Sequence, residues 1–502
     1  MSEELTQEKC GIVALFSKEY TSQLILTLQA TVGVQHRGTH GAGTVFKTKK
    51  GLVKFTGTGL LREIFTPSLV KKLQKPSRWL IMHSRYGTSG DYRKENLQPC
   101  IFKSKEGHEV AVAHNGEFVN MQTFASKLPV KLPKNISDTY IFALLLANAK
   151  GRNWNEKLLS TLDSVKGSYG LIVGVGENIY AARDNHGIRP LCIGTLNGHW
   201  LIASETHAFD KVGAKVLREI KRGEVVRITK NGMEVIRRGT KTKKHFCEFE
   251  WAYFSRPDSL LSTNGDDDTP SKWLSITTFR ERCGAELARE APIRNATFIV
   301  GVPDSGISMT MGYANALDIP YRQVIVRDHY DPEGDQRLFM RDDQMKKIRK
   351  KVLGKLSLVP EPAIWKGSIV VIGDDSIVRG NVSMQITKAI FAMGAAEVHW
   401  IVGYPPVIKP CHLGVSIRTQ EELIAARHNG DVKKISKEIG ATSIKYISPA
   451  SFVRARLNSK YFNKPQNPLE VFLQNDGCGG CITGLYPIDK KGNEYESKNM
   501  TI

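Results

Sequence analysis

Apolar and polar positions alternate in two regimes along this chain. Up to about residue 245 the apolar stretches are short and strand-like: CGIVALF from Cys10, GLIVGV at 170–175 and HWLIAS at 199–204. Beyond that point strands and helices alternate, which predicts a parallel sheet. FRERCGAELARE reads as a helix, TFIVGV as a strand, and PDSG (303–306) as the turn at its end. The stretch IVVIGDDSIVRGNV (369–382) repeats this order. Ile369 to Ile372 suits a buried parallel strand, Val382 to Met393 carries apolar residues at helical spacing, and a loop lies between.

That loop carries the first candidate chemistry. In open α/β sheets ligands sit beyond the carboxyl ends of the strands, so the adjacent carboxylates of Asp374 and Asp375 face that crevice. Carboxylates there accept hydrogen bonds from sugar hydroxyls. The backbone N–H groups from Ser376 to Gly380 precede a helix N-terminus, where unpaired donors and the helix dipole favour an anion such as phosphate. Together these features describe a ribose 5-phosphate cradle.

Composition narrows the setting. A length of 502 residues exceeds one ordinary core and predicts two domains. No window approaches the apolar length of a membrane span, and the start MSEELTQEK lacks a signal-peptide core, so a cytoplasmic protein without membrane contact is expected. A net charge of +21 suits nucleic acid, but also polyanionic substrates such as pyrophosphates. The basic clusters at 241–244 and 346–351 are short, and no helix-turn-helix, zinc-finger or aromatic RNA-binding signature accompanies them. Nucleic acid is therefore not the expected partner. Eight cysteines in a chain this long do not make a secreted disulfide scaffold. If residues 1–9 were removed, Cys10 would carry a free α-amino group beside its thiol. Such an amine has an ordinary pKa of roughly 7.7–8.0, near enough to neutrality to accept the thiol proton.

The string DDSIVRG resembles the phosphoribosyl pyrophosphate (PRPP) loop of type I phosphoribosyltransferases, and its wording is most similar to the amidophosphoribosyltransferase family, which opens purine synthesis. QHRGTHGAG (35–43), HSRYGTSG (83–90), AHNGEFVN (113–120) and SDTY (137–140) resemble, in order and spacing, the glutaminase domain of N-terminal-nucleophile amidotransferases. RDNHGIRPL (183–191) and ASE (203–205) continue the pattern, and FCEFEWAYFSRPDS (246–259) resembles the join between the family's two halves. The resemblance implies an α+β N-terminal-nucleophile (αββα) glutaminase domain followed by an α/β type I phosphoribosyltransferase domain. Its divisions are a propeptide at 1–9, the glutaminase at 10–245, the transferase at 246–460 and a tail at 461–502.

The same resemblance implies roles. Cys10 is the nucleophile; Asn115 and the Gly116 N–H form the oxyanion hole; Arg85 pairs with the α-carboxylate of glutamine and Asp138 receives its α-ammonium. PRPP is held by Asp304 and Ser305 of the pyrophosphate turn, by Asp374, Asp375, Ser376, Arg379 and Gly380, and by Tyr330 and Arg337 of a closing loop. Mg²⁺ at Asp374 and Asp375 bridges sugar and pyrophosphate. A lone Cys-x-x-Cys such as CGGC is ambiguous among zinc, redox and iron–sulfur roles. The positions of Cys247, Cys411, Cys478 and Cys481 match the ligands of a [4Fe–4S] cluster in cluster-bearing members, although four thiolates alone suit zinc equally. Cys100, Cys192 and Cys283 read as ordinary buried residues. Purine nucleotides as inhibitors and a homo-oligomer, tetramer or dimer, are further implications.

The chain departs from the family's wording in three places. Asn381 and Val382 stand where two threonines usually hold the 5′-phosphate; Tyr140 replaces a glutamate; and RDHYDPEGDQRLF (327–339) replaces a Lys-Asn-Arg-Tyr string and flexible loop. Asp328 and the loss of an arginine at His329 weaken anion binding on charge alone. The expectation is a kept cradle with altered phosphate contacts. The alternative reading is a catalytically impaired paralogue with a glutaminase-only, regulatory or binding role.

Overall fold

The computed structural model describes residues 10–86, 94–126, 128, 132–263, 269–327, 356–415, 417, 419–457 and 467–495. Residues 1–9, Tyr330, Arg337 and the 327–339 departures other than Arg327 lie outside the described residues.

The N-terminal half is two antiparallel sheets face to face. The first uses β1 (Gly11–Ser22), β2 (Gly41–Thr48), β3 (Gly51–Thr58), β4 (Pro76–Arg85), β9 (Cys192–Leu196), β10 (His199–Ala203) and β11 (Lys215–Glu219). The second uses β5 (Cys100–Lys103), β6 (Glu109–Phe118), β7 (Gly167–Val175), β8 (Asn178–Arg183), β12 (Val225–Thr229) and β13 (Gly232–Arg237). Their orders are β11-β9-β10-β1-β4-β2-β3 and β13-β12-β8-β7-β6-β5. Helix Leu24–Val32 covers β1 and β4 on one outer face, and helix Asp138–Ala147 covers β5 and β6 on the other. This is the four-layer αββα arrangement expected from the motifs.

The inner strands β1, β4 and β7 are buried on both faces over most of their length, which explains why their sequences run apolar instead of alternating. Between the sheets Ile12, Ala14 and Phe16 of β1 share one core with Ala111, Ala113 and Ile172. Trp79 of β4 is fully buried in it. A Cβ on Gly174 of β7 would come within 2.5 Å of the Trp79 ring, so the bare glycine admits the indole between the sheets. Trp79→Ala is therefore expected to destabilise the protein by about 3–5 kcal/mol, through lost burial and a residual cavity. Chemical denaturation of the full chain measures it; a loss below about 1 kcal/mol would mean that the sheets close over the gap.

The C-terminal half carries a four-stranded parallel sheet ordered Phe298–Gly301, Ile369–Asp374, Glu397–Val402 and Ser443–Tyr446. Val371 faces one core and Val370 and Ile372 the other, all fully buried. Helix Gly306–Leu317 lies against the first two strands, and helix Ile276–Glu290 packs on it. Helix Asn381–Ala392 follows the Asp374–Gly380 loop, as its apolar spacing predicts. The halves are joined through Phe246–Cys247, which pairs in parallel with Gly477–Cys478 of the tail. Among the described residues no helix is long and apolar enough to cross a membrane.

Candidate active sites

Cys10 is buried at the entry to β1, with its Sγ 3.9 Å from the Tyr86 carbonyl oxygen. The β1/β4 register pairs Gly11 with Ser84, which sets Cys10 beside the end of β4, where Arg85 stands. The arginine is buried and donates from Nη1 to the Asn96 carbonyl. His40, at the start of β2, stacks on Tyr86 with ring centroids 4.0 Å apart.

The facing sheet supplies the other half of this pocket. Asn115 and Gly116 lie on β6 opposite Gly170 and Tyr169 of β7. Asn115 is buried, and its Nδ2 has no hydrogen-bond partner among the described residues. Buried amide donors are normally satisfied, so the Asn115 amide is left with a donor to give, beside the backbone of Gly116. Gly116 has φ +149°, and a Cβ there would meet the Ser168 carbonyl at 2.0 Å, so no other residue fits.

Asp138 opens its helix. Its Oδ2 accepts from the Phe118 N–H at 2.9 Å and its Oδ1 from the Thr139 N–H at 2.7 Å. The His114 imidazole, 3.6 Å from Asp138, is held below its ordinary pKa by burial, with Asp138 opposing the shift. It is therefore neutral at neutral pH. Thr139 Oγ1 lies 3.0 Å from the ring Nδ1, and Gln98 Oε1 accepts from the His114 backbone N–H at 2.7 Å. The Cys100 thiol is pushed up to about 11 by burial, with Lys54 and then Arg85 opposing the shift.

The second site lies at the carboxyl edge of the parallel sheet. Asp374 ends its strand, and its Oδ1 accepts from the Asp375 N–H at 2.9 Å; Ser376 Oγ donates to Asp375 Oδ1 at 2.6 Å. Burial, then repulsion from Asp375, raises the pKa of Asp374 well above the ordinary carboxylate value. Gly380 has φ +85°, the left-handed turn that starts helix Asn381–Ala392. The PDSG turn (303–306) lies alongside: a Cβ on Gly306 would meet the Gly373 carbonyl at 2.5 Å and Asp374 Cα at 3.0 Å. Asp304 and Ser305 thus border the carboxylates. Asp304 is exposed and ion-paired with Arg327. Arg379 directs its guanidinium to Glu422, with Nε 3.1 Å from Oε2. Val382 packs on the sheet's core while Asn381 remains exposed.

Of the four matched cysteines, Cys247 and Cys478 face each other in parallel register. The Cys478 thiol is raised well above its ordinary pKa by burial first and then by Cys247, Cys411 and Cys481. The four thiols come from three chain segments, and Cys411 is half-buried where the other three are buried. Among the described residues no group of three or more His, Cys, Asp or Glu side chains is gathered to hold a metal ion.

A glutamine amidotransferase domain family matches residues 83–211. The amidophosphoribosyltransferase of Bacillus subtilis (strain 168) is 33% identical over 488 residues, covering 96% of this chain and 94% of that protein. The Rattus norvegicus amidophosphoribosyltransferase is 33% identical over 539 residues, covering 97% and 99%. The chain belongs to the amidophosphoribosyltransferase family. The main reading of its motifs, a glutamine-dependent amidophosphoribosyltransferase, stands. A solved structure described as the glutamine PRPP amidotransferase from B. subtilis complexed with ADP and GMP superposes with a TM-score of 0.82 at 32% identity, covering 97% of this chain and 99% of that one.

This member of the family also holds a charged group that motif reading left without a role. Arg37, Glu205, Arg189 and Glu250 are all buried at the junction of the two halves. Glu250 receives Arg37 Nη2 at 2.7 Å and Nη1 at 3.0 Å, and Arg189 Nη1 at 3.2 Å. Glu205 pairs with Arg37 and accepts from Ser259 Oγ at 2.7 Å. All four residues were visible as charges inside QHRG, GIRP, ASE and FEWAYF. A charged residue inside a motif with no catalytic assignment is the signal that marks such a group.

Proposed function

We propose that removal of residues 1–9 frees the α-amino group of Cys10 and that the two sites then work in series. The amine accepts the thiol proton, and the thiolate attacks the side-chain amide carbon of glutamine. Asn115 Nδ2 and the Gly116 N–H donate to the oxygen as it becomes an anion, a stabilisation that arises only at the tetrahedral stage. The Cys10 α-ammonium returns that proton to the amide nitrogen as the C–N bond breaks, so collapse expels ammonia and leaves a thioester on Cys10, which water cleaves to glutamate and the free thiol. Arg85 and Asp138 hold the substrate's α-carboxylate and α-ammonium throughout. The ammonia displaces pyrophosphate at C1 of PRPP, forming the C–N bond of 5-phosphoribosylamine as the C–O bond breaks.

In the second site Asp374 and Asp375 accept from the ribose hydroxyls, the N–H groups from Ser376 to Gly380 receive the 5-phosphate, and Asp304 and Ser305 belong to the pyrophosphate turn. Tyr330 and Arg337 complete the set. Arg379, turned to Glu422, supports the loop through that pair. Mg²⁺ at Asp374 and Asp375 would neutralise charge on the departing pyrophosphate. Cys247, Cys411, Cys478 and Cys481 would hold a [4Fe–4S] cluster that clamps the tail to both halves. The working divisions are 10–245, 246–460 and 461–502, in a cytoplasmic homo-oligomer inhibited by purine nucleotides. The complex of the B. subtilis relative with ADP and GMP supports nucleotide regulation.

The observation that carries this reading is the unsatisfied Asn115 amide beside Gly116, on the strand facing the Cys10 sheet, in a chain that also has the Asp374–Gly380 loop. Mass spectrometry of the purified chain, with metal and sulfide analysis, tests the parts that sequence matching alone supplies. Expected are an N-terminal Cys10 and equal iron and sulfide. Full-rate glutamine hydrolysis by a chain still beginning at Met1 would end the processing step, and zinc in place of iron would end the cluster.

A further inference from the structure

The contacts of the junction carboxylate Glu250 lead to both sides of the glutamine pocket. One partner, Arg37, is followed by Gly38, where a Cβ would lie 2.4 Å from the Ser84 carbonyl carbon and 2.7 Å from that of Arg85. The Gly38 backbone therefore rests directly on the strand end that carries Arg85, and two residues on, the His40 N–H donates to the Arg85 carbonyl at 3.0 Å. The other partner, Arg189, donates from Nη2 to the Leu413 carbonyl at 2.6 Å. Ser168 Oγ, on the strand next to Gly116, donates to that same oxygen at 2.8 Å. The next residue, Gly414, has φ +90°; a Cβ there would meet Arg189 Nη2 at 2.7 Å and the Gly116 carbonyl carbon at 3.0 Å. The C-terminal half thus presses a glycine onto the backbone of the oxyanion residue, and Arg189 holds it there.

Glu250 also faces the other reaction. Its Oε2 lies 3.2 Å from Ser255 Oγ, and the Ser255 carbonyl accepts from Arg280 Nη2 at 2.9 Å. Arg280 is buried, and the charge of Asp375 acts on it. One π-helical turn, Glu250–Phe254, with the serine that ends it, therefore contacts Arg37 and Arg189 on one side and Arg280 on the other.

We infer that Glu250 is a positioning residue that sets the glutamine pocket's geometry from the transferase side, holding Arg85's strand end through Arg37 and the Gly116 backbone through Arg189 and Leu413–Gly414. Its carboxylate keeps two buried guanidinium groups in fixed orientation, which a neutral amide with one acceptor oxygen does poorly. This rests on the assignment of glutamine chemistry to Cys10 and Gly116. Cys10→Ala tests that assignment separately, because it removes glutamate production whatever Glu250 does.

The experiment uses the mature full-length chain and compares three rates: glutamate release, phosphoribosylamine formed from glutamine, and phosphoribosylamine formed from free ammonia. Glu250→Gln is expected to lower glutamate release about tenfold, mainly in kcat, while the ammonia-supported rate stays within twofold. Ser255→Ala removes one neutral contact and keeps both ion pairs; it should shift the same ratio by about twofold to threefold. A ratio of glutamine-supported to ammonia-supported rate that matches wild type in both variants overturns the inference. So does an equal fall of both rates in both variants, because that is what a merely structural residue would produce.

Discussion

Cys10→Ala is expected to bring glutamate release down to background, a loss on the order of 10⁴-fold or more, because in the proposed reaction its sulfur is the nucleophile that displaces ammonia. The same variant should keep phosphoribosylamine formation from free ammonia within about twofold, since Cys10 has no part in holding PRPP and sits in a different sheet system. Measuring both rates on one preparation makes the result self-controlled: retained ammonia-supported turnover certifies the fold. A companion variant, Asn115→Ala, removes one oxyanion donor and should cost about 10²–10³ in kcat with little change in KM for glutamine. If Cys10→Ala released glutamate at more than a few per cent of the wild-type rate, another nucleophile would have to be sought.

The converse is expected from Asp374→Asn with Asp375→Asn. Phosphoribosylamine formation should fall by about 10²–10⁴ with either nitrogen source, the effect of losing two charged acceptors at about 1.5–3 kcal/mol each. Glutamate release measured without PRPP should persist. The wild-type pair also carries a pH signature. Asp374 is raised well above its ordinary pKa, by burial first and by Asp375 second, so the folded protein favours its protonated form. Stability attributable to this group is fully present below the unfolded carboxylate pKa and is lost as pH rises through the folded value. Sugar hydroxyls and Mg²⁺ need the ionised form, so PRPP affinity should rise with pH over that same window and then level off. Asp375→Asn alone removes the repulsion and should move the rise to lower pH, read from PRPP KM against pH. The carboxylates interact, so the profile reports apparent values of the pair. A flat profile in both proteins would show that Asp374 is already ionised when PRPP arrives.

Legibility from sequence followed the range of the interactions. Ile369–Asp374 announced itself because a parallel strand buried on both faces needs an unbroken apolar run, and the helix after it because its periodicity is local. Gly380 was placed in that loop as a backbone donor, and the left-handed turn it makes before the helix is a finding of the structure. The boundaries moved little, with TFIVGV becoming Phe298–Gly301 and the helix after the PRPP loop becoming Asn381–Ala392. What depends on distant partners was not legible. Arg379 read as part of the phosphate loop, but its orientation depends on Glu422, 43 positions away. The glutamate's own segment adds a strap when the Ile424 N–H donates to the Val378 carbonyl at 2.9 Å. Arg37 and Glu250 lie 213 positions apart, and nothing in either neighbourhood forecasts the pairing. Val382 was read for the hydroxyl it lacks. Its side chain instead serves the core, which explains how the position tolerates an apolar residue at the lip of a polar site.

The parallel pairing of Phe246–Cys247 with Gly477–Cys478 has a consequence for how this chain comes into being. On a ribosome the first sandwich has every strand it needs once Arg237 has emerged, whereas the seam beneath it waits for a segment near the far end. Folding is then ordered by synthesis: the nitrogen-releasing half takes shape early, and its floor is closed last, when the consumer of that nitrogen already exists.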